Sequence, residues 1–265
     1  MVDFGAQMWG YNRIFREDTQ GFLSSMANDG YKILEPDVQI DPKLPEQFMP
    51  IWKLEELDEF CTAVLKAGLR LDSVHVFGSI VDNVNALKSW KDRYGIRAVV
   101  HQGAAMGNTD ESIRDYADLC RREADALAKV GLELWLHNGG GEVKPDAEGV
   151  SPLEKVLQLC DGAVYAQLDV GWALYGGVNP AVYTRQVAPW LRSVHYKDMA
   201  KGYPTLPFPK LHTGLGRGAL DAAACWNAAK NLDVTHILDQ DDSDLDMMDD
   251  ARTGLELMIG IVEAN

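Results

Sequence analysis

The chain has 265 residues and a mass of 29.3 kDa, with 46% hydrophobic and 25% charged residues. That balance can bury a core and excludes a disordered chain or a mini-protein. Lys+Arg 25 against Asp+Glu 40 leaves a net charge of −15, which repels phosphate backbones and anionic lipid, so no nucleic acid and no membrane is expected as a partner.

The opening Met1-Val2-Asp3-Phe4-Gly5 lacks the basic, apolar character of a leader. No apolar run approaches the roughly 18 residues of a membrane span. Cys61, Cys120, Cys160 and Cys225 lie far apart without CxxC or metal spacing. They read as buried free thiols of a cytoplasmic protein.

In chain order, eight short β-branched runs alternate with eight stretches of helical period. The strands are predicted at 4–10, 32–38, 71–77, 97–101, 133–137, 165–170, 192–196 and 235–239. The helices are predicted at 22–27, 54–66, 81–94, 111–130, 152–160, 180–190, 221–231 and 246–262. Gly30, Gly68, Gly95, Gly131 and Gly162 stand where helices stop, and Ser151-Pro152-Leu153-Glu154 has the form of a capping box with proline at its first helical position. This is the size and grammar of a (β/α)₈ TIM barrel in a single α/β domain over 1–265. No GxGxxG follows the first strand and no P-loop occurs, which argues against an open nucleotide-binding sheet. Two proline-rich stretches, 39–51 and 199–217, follow strands and fall on the face where barrel sites are built.

Polar residues gather at the predicted strand ends. Four of six histidines, His75, His101, His137 and His195, do so, where packing alone would favour Val, Ile or Leu. Asp169, His195 and Asp239 end the last three strands and form a candidate divalent-metal set. One imidazole with carboxylates suits Mn²⁺, Mg²⁺, Co²⁺ or Zn²⁺. A fourth ligand from the fifth strand would be His137 or Glu142, the latter just past Gly139-Gly140-Gly141.

The segments Leu168-Asp169-Val170-Gly171-Trp172, Val194-His195-Tyr196-Lys197-Asp198-Met199 and Gly214-Leu215-Gly216-Arg217-Gly218 resemble the sugar phosphate isomerase/epimerase family, whose members are xylose-isomerase-like TIM barrels. Leu136-His137-Asn138 with Glu142, and Tyr31-Lys32-Ile33-Leu34-Glu35, extend the resemblance along nearly the whole chain. It implies one divalent metal, Mn²⁺ first among the candidates, held by Glu142, Asp169, His195 and Asp239. Two positions depart from the family pattern: Asp239 stands where a Glu is usual, and Gly139 where one branch carries a second His.

The implied chemistry is proton removal beside a metal-polarised carbonyl, giving an enediolate. Glu142 and Asp239 would move the proton, and Lys197 would steady the developing oxyanion. His75, His101 and His137 would contact hydroxyls, Glu35 would orient one, and Trp9 and Trp172 would wall the sugar ring. Arg217 is the sole phosphate candidate, so an unphosphorylated keto sugar is expected. The expected activity is a metal-dependent isomerase or epimerase of carbohydrate metabolism, with a lyase (dehydratase, decarboxylase or 3-keto-glycoside cleavage) or a non-catalytic sugar-binding barrel as alternatives. An apurinic-endonuclease relative would need a basic face, against the charge of −15. A homo-oligomer is left open.

Overall fold

Strands and helices alternate in the computed structural model, which describes residues 2–41, 43, 51–102, 106–243 and 245–264. The strands are β1 (Phe4–Gln7), β2 (Ile33–Glu35), β3 (Asp37–Gln39), β4 (Trp52–Lys53), β5 (Ser73–Phe77), β6 (Ala98–Gln102), β7 (Glu133–His137), β8 (Val164–Asp169), β9 (Leu191–Tyr196), β10 (Asp198–Met199), β11 (His212–Thr213) and β12 (Thr235–Leu238). The helices are α1 (Asn12–Glu17), α2 (Thr19–Asp29), α3 (Leu57–Lys66), α4 (Ile80–Tyr94), α5 (Asp110–Ala128), α6 (Pro152–Leu159), α7 (Val170–Tyr175), α8 (Pro180–Val187), α9 (Ala222–Ala229) and α10 (Met247–Ala264).

The predicted second strand is split at Pro36, which has no N–H to give to a neighbour. Its first half, β2, pairs with β1, and its second half, β3, pairs with β5. Parallel pairing then runs from β5 through β6, β7, β8, β9 and β12 back to β1. The Leu34 amide on the Arg70 carbonyl at 3.0 Å and the His75 amide on the Pro36 carbonyl at 2.9 Å stitch the split stave to its other neighbour. The sheet therefore closes as a TIM barrel.

Several boundaries differ from the periodicity. The first strand ends at Gln7, and Trp9–Tyr11 turn into a short 3₁₀ helix. The first helix is longer than predicted: the Asp18 carboxylate caps α2 through the Gly21 amide, and Gly30, at φ 113°, ends it. The Ser151/Glu154 capping box forms as predicted. Helix α7 went unpredicted because its six residues begin inside a strand-like run. The 199–217 stretch holds a small antiparallel ladder between β10 and β11. There the Asp198 carboxylate accepts the amides of Gly216, Gly218 and Leu220 at 2.9–3.0 Å. Much of the 39–51 stretch, including Pro42, Pro45 and Pro50, lies outside the described residues.

The main apolar layer lies between sheet and helices and includes Phe15, Phe60, Trp90 and Trp226. Each such side chain contributes roughly 1.5–3 kcal/mol through burial. Inside the barrel a small plug of Ala98, Val100 and Trp135, with Tyr165 against it, forms a floor. Gly5 belongs to this narrow end, since a β-carbon there would lie 2.8 Å from Ile33 Cβ. Above the floor the interior turns polar. Among the described residues no helix is long and apolar enough to cross a membrane.

Candidate metal and substrate site

Alternation along each stave aims every second side chain inward. Glu35 and Asp37, Ser73 and His75, Gln167 and Asp169, and His195 and Lys197 are such pairs, and all eight are buried. Glu35 is the deep hub. Its Oε1 accepts from Gln167 Nε2 at 2.8 Å and from Ser73 Oγ. Its Oε2 lies 3.1 Å from His75 Nε2 and 2.8 Å from His195 Nε2. Burial opposes ionisation of Glu35, but the two imidazoles prevail and hold its carboxyl well below the ordinary range.

Above this hub sit His137, Asp169, His195 and Asp239. One ligand atom from each lies within 4.8 Å of the others, and all four residues are buried. Both ring nitrogens of His137, Asp169 Oδ2 and Asp239 Oδ1 lack hydrogen-bond partners among the described residues. An orphaned buried polar atom costs about 1–3 kcal/mol, so four in one place fit a site that a cation completes. Asp169 is divided between two tasks: Oδ1 accepts the Trp172 amide at 2.8 Å and caps α7, while Oδ2 lies 3.6 Å from His137 Nε2. Asn138 clamps the Asp169 backbone, accepting its amide at 2.9 Å and donating to its carbonyl at 3.2 Å. The Glu35 contact at Nε2 turns His195 Nδ1 toward Asp239 Oδ2, 2.9 Å away.

Lys197 reaches the same oxygens. Its Nζ is 3.3 Å from Asp169 Oδ2, 3.1 Å from Asp239 Oδ2, and 3.0 and 2.9 Å from the two oxygens of Asp241. Burial opposes its charge, but Asp239, Asp241 and Asp169 outweigh that and keep it an ammonium. Burial pushes His137 down to about 4, so its imidazole is neutral. For His195 burial is overcome by Glu35 and then Asp239, which push it up to about 10. Asp37 is pushed up to about 7, chiefly by burial; its Oδ1 accepts from Gln7 Nε2 at 2.8 Å, and its Oδ2 has no partner among the described residues.

A cavity of ≈ 320 Å³ opens over this cluster. Asp37, His75 and Gln102 face it from one half of the barrel, and His137, Lys197, Asp239 and Asp241 from the other. Trp9 and Phe77, with ring centroids 6.1 Å apart, make one aromatic wall, while Trp172 and Phe208 line the opening as well. The volume suits a small ligand, and flat rings beside convergent polar groups suit one with both C–H faces and hydroxyls.

No family model matches the chain. Among curated proteins, the inosose dehydratase of Geobacillus kaustophilus is 30% identical over 92 residues, covering 34% of this chain and 29% of that protein. The matched stretch thus spans less than a third of the curated relative. A sugar phosphate isomerase/epimerase from Parabacteroides distasonis superposes with a TM-score of 0.79 at 16% identity, over 97% of this chain and 93% of that one. A xylose isomerase-like TIM barrel protein from Mycobacterium smegmatis, solved with magnesium, gives 0.68 at 12% identity over 100% and 97%. The IolI protein, solved with a zinc atom, gives 0.71 at 14% identity over 99% of both chains. The chain has the xylose-isomerase-like TIM-barrel fold.

The barrel brings together most of the residues singled out from sequence. His75, His137, Trp9, Trp172, Lys197 and Asp239 line the cavity, with Asp169, His195 and Glu35 beneath it. Glu142 is not among them. Its Oε2 accepts the Gly139 amide at 2.9 Å, and it lines a separate surface pocket with Lys144 and Lys155. The loop turns the carboxylate back on its own backbone, and His137 stands in the cluster instead. His101 also departs from expectation. Alternation along β6 faces Gln102 inward and turns His101 out against α5, where it stacks on Tyr116 at 5.8 Å and lies 3.3 Å from Glu123 Oε2. Arg217 is committed to Asp250, with Nη2 donating at 2.8 Å. Gln167 and Ser73 were missed, although each stands two residues before a strand-end ligand or histidine. Asp37 falls near the end of the predicted second strand, 32–38, and no motif marks it.

Proposed function

We propose that the chain is a divalent-metal-dependent enzyme that enolises a small, unphosphorylated keto sugar and releases an isomer or epimer. The observation that carries this reading is the quartet His137, Asp169, His195 and Asp239, buried and with orphaned atoms on His137, Asp169 and Asp239, at the base of a polar cavity. A divalent cation bound there would polarise a substrate carbonyl and acidify the adjacent C–H. The chain's own residues supply the rest. Asp37, with a free oxygen and a carboxyl near neutrality, and Asp239 offer proton-transfer groups from different staves. Lys197, anchored by Asp241, sets a positive charge where an oxyanion would develop. Trp9, Phe77 and Trp172 exclude water and present flat faces to ring C–H groups. Arg217 is occupied by Asp250 and three aspartates line the cavity, which favours a substrate without a phosphate.

A lyase is the second reading, favoured by the 92-residue match to an inosose dehydratase. Both readings share the enol and differ in the bond broken next. The test is to load the protein with metal, supply ketoses and inososes in D₂O, and follow them by NMR and mass spectrometry. Deuterium beside the carbonyl at otherwise constant mass marks an isomerase or epimerase, and loss of one water marks a dehydratase. Metal-loaded protein that does neither with any of these compounds overturns the proposal. One apolar cluster reaching from Phe4 to Met258 supports a single domain, and four buried free cysteines support a reducing, cytoplasmic setting.

A further inference from the structure

We infer that the quartet selects a nitrogen-seeking cation, Zn²⁺ or Co²⁺, over Mn²⁺ or Mg²⁺, with His137 as the residue that decides it. The inference rests on the proposal that the quartet holds a metal, and goes beyond it to the class of ion. With Glu142 folded back on Gly139, the donors that meet are two imidazoles and two carboxylates. Such a set differs from the three carboxylates and one imidazole expected from sequence. Imidazole suits Zn²⁺, Co²⁺ and Ni²⁺, whereas Mg²⁺ and Mn²⁺ favour carboxylate, carbonyl and water oxygens.

The surroundings act in the same direction. Lys197 Nζ lies 3.3 and 3.1 Å from oxygens of Asp169 and Asp239, so the oxygen donors are shared with a resident ammonium. The nitrogen donors are not shared with it. Neither ring nitrogen of His137 has a hydrogen-bond partner among the described residues, and His137 Nε2 lies 3.6 Å from Asp169 Oδ2. His195 is braced through Nε2 by Glu35 at 2.8 Å, the carboxylate–histidine arrangement that fixes a ring and strengthens its other nitrogen as a donor. A hard ion that depends on carboxylate charge must compete with Lys197 for it, while an ion that bonds to nitrogen gains His137, which no ammonium and no hydrogen bond among the described residues contests.

The test titrates the full, chelator-stripped chain with Zn²⁺, Co²⁺, Mn²⁺ and Mg²⁺ separately, for wild type and His137→Glu. Most protein sites rank Zn²⁺ above Mn²⁺, so the decisive quantity is the change in their affinity ratio. We expect His137→Glu to lower the Zn²⁺:Mn²⁺ ratio on the order of 100-fold. A second readout needs no variant: proton NMR of the Co²⁺-loaded wild type should show hyperfine-shifted signals from two coordinated imidazoles. An unchanged ratio in a folded variant, or a single coordinated imidazole in the wild type, overturns the inference while leaving the metal centre intact. A wild-type chain that retains none of the four ions overturns the metal centre itself, and this inference with it.

Discussion

Replacing Lys197 by Met should tighten metal binding even as it removes the positive charge proposed to meet an oxyanion. Nζ lies 3.1 and 3.3 Å from one oxygen each of Asp239 and Asp169. A cation bonded to those oxygens at about 2.1 Å would stand roughly 4–5 Å from the ammonium. At an effective dielectric near 20, a divalent and a monovalent charge at that separation repel by about 7 kcal/mol. Asp241, which holds Nζ through both oxygens at 2.9 and 3.0 Å and whose carboxyl burial already raises, takes up a proton once its ammonium is gone, so its attraction for the cation is lost together with the repulsion and returns more than half of that. Relief of roughly 2–3 kcal/mol remains, corresponding to about 30–100-fold tighter Zn²⁺ binding. The same change leaves Asp169 and Asp239 without their ammonium, so the metal-free protein should lose about 3 kcal/mol of stability. Chelator competition gives the affinity, and urea denaturation with and without Zn²⁺ gives the stability. Metal affinity that stays level or falls in a folded Lys197→Met protein would refute the competition between ammonium and cation.

The remaining predictions follow from neighbouring groups. Glu35→Gln should weaken metal binding about 10–100-fold, because His195 loses the carboxylate that orients it; isothermal titration checks this. Asp37→Asn should cut deuterium incorporation into a turned-over ketose roughly 100-fold or more while leaving Zn²⁺ affinity within twofold; a matched loss of metal affinity would assign Asp37 to the cluster instead. Glu142→Gln should leave metal content unchanged, as measured by elemental analysis, since among the described residues the Glu142 carboxylate accepts the Gly139 amide and faces a separate pocket. Glu123 tests pH dependence away from the site: burial raises its carboxyl from 4.5 to about 7. The native state therefore holds that proton more tightly than the unfolded chain, and stability declines as pH rises from 4.5 through 7. Glu123→Gln should stabilise the protein by roughly 3 kcal/mol at pH 8 and hardly at all at pH 4; equal denaturation midpoints at pH 8 would exclude the effect.

The barrel was legible because its signals are local and repeated. Each stave is a short apolar run, each helix has a 3.6-residue stripe, and glycine or a capping box marks many of the joins. Pro36 hid the split of the second stave, since absence of one N–H shows its effect only when both neighbouring strands are in place. Helix α7 was lost for the opposite reason: six residues give too little period to separate it from the strand it follows. At the site, Asp169, His195 and Asp239 could be named from position alone because each closes a strand. Which of His137 and Glu142 joins them depends on how a glycine triplet folds, and sequence leaves that choice open. The support beneath them, Ser73 and Gln167, was readable only by stepping back two residues along each stave. His101 shows the limit of that alternation: a shift of one position turns a side chain from cavity to helix layer.

Asp169 ties the cluster mechanically to its surroundings, because one oxygen faces His137 while the other holds the first turn of α7 through the Trp172 amide. Any demand made on that carboxylate is felt at a peptide group bearing an indole, 5.5 Å from the His212 ring and 5.6 Å from Lys197 Nζ. A cation bound at that carboxylate would therefore be expected to change the emission of Trp172, an intrinsic gauge of occupancy that ties the wall of the chamber to its base.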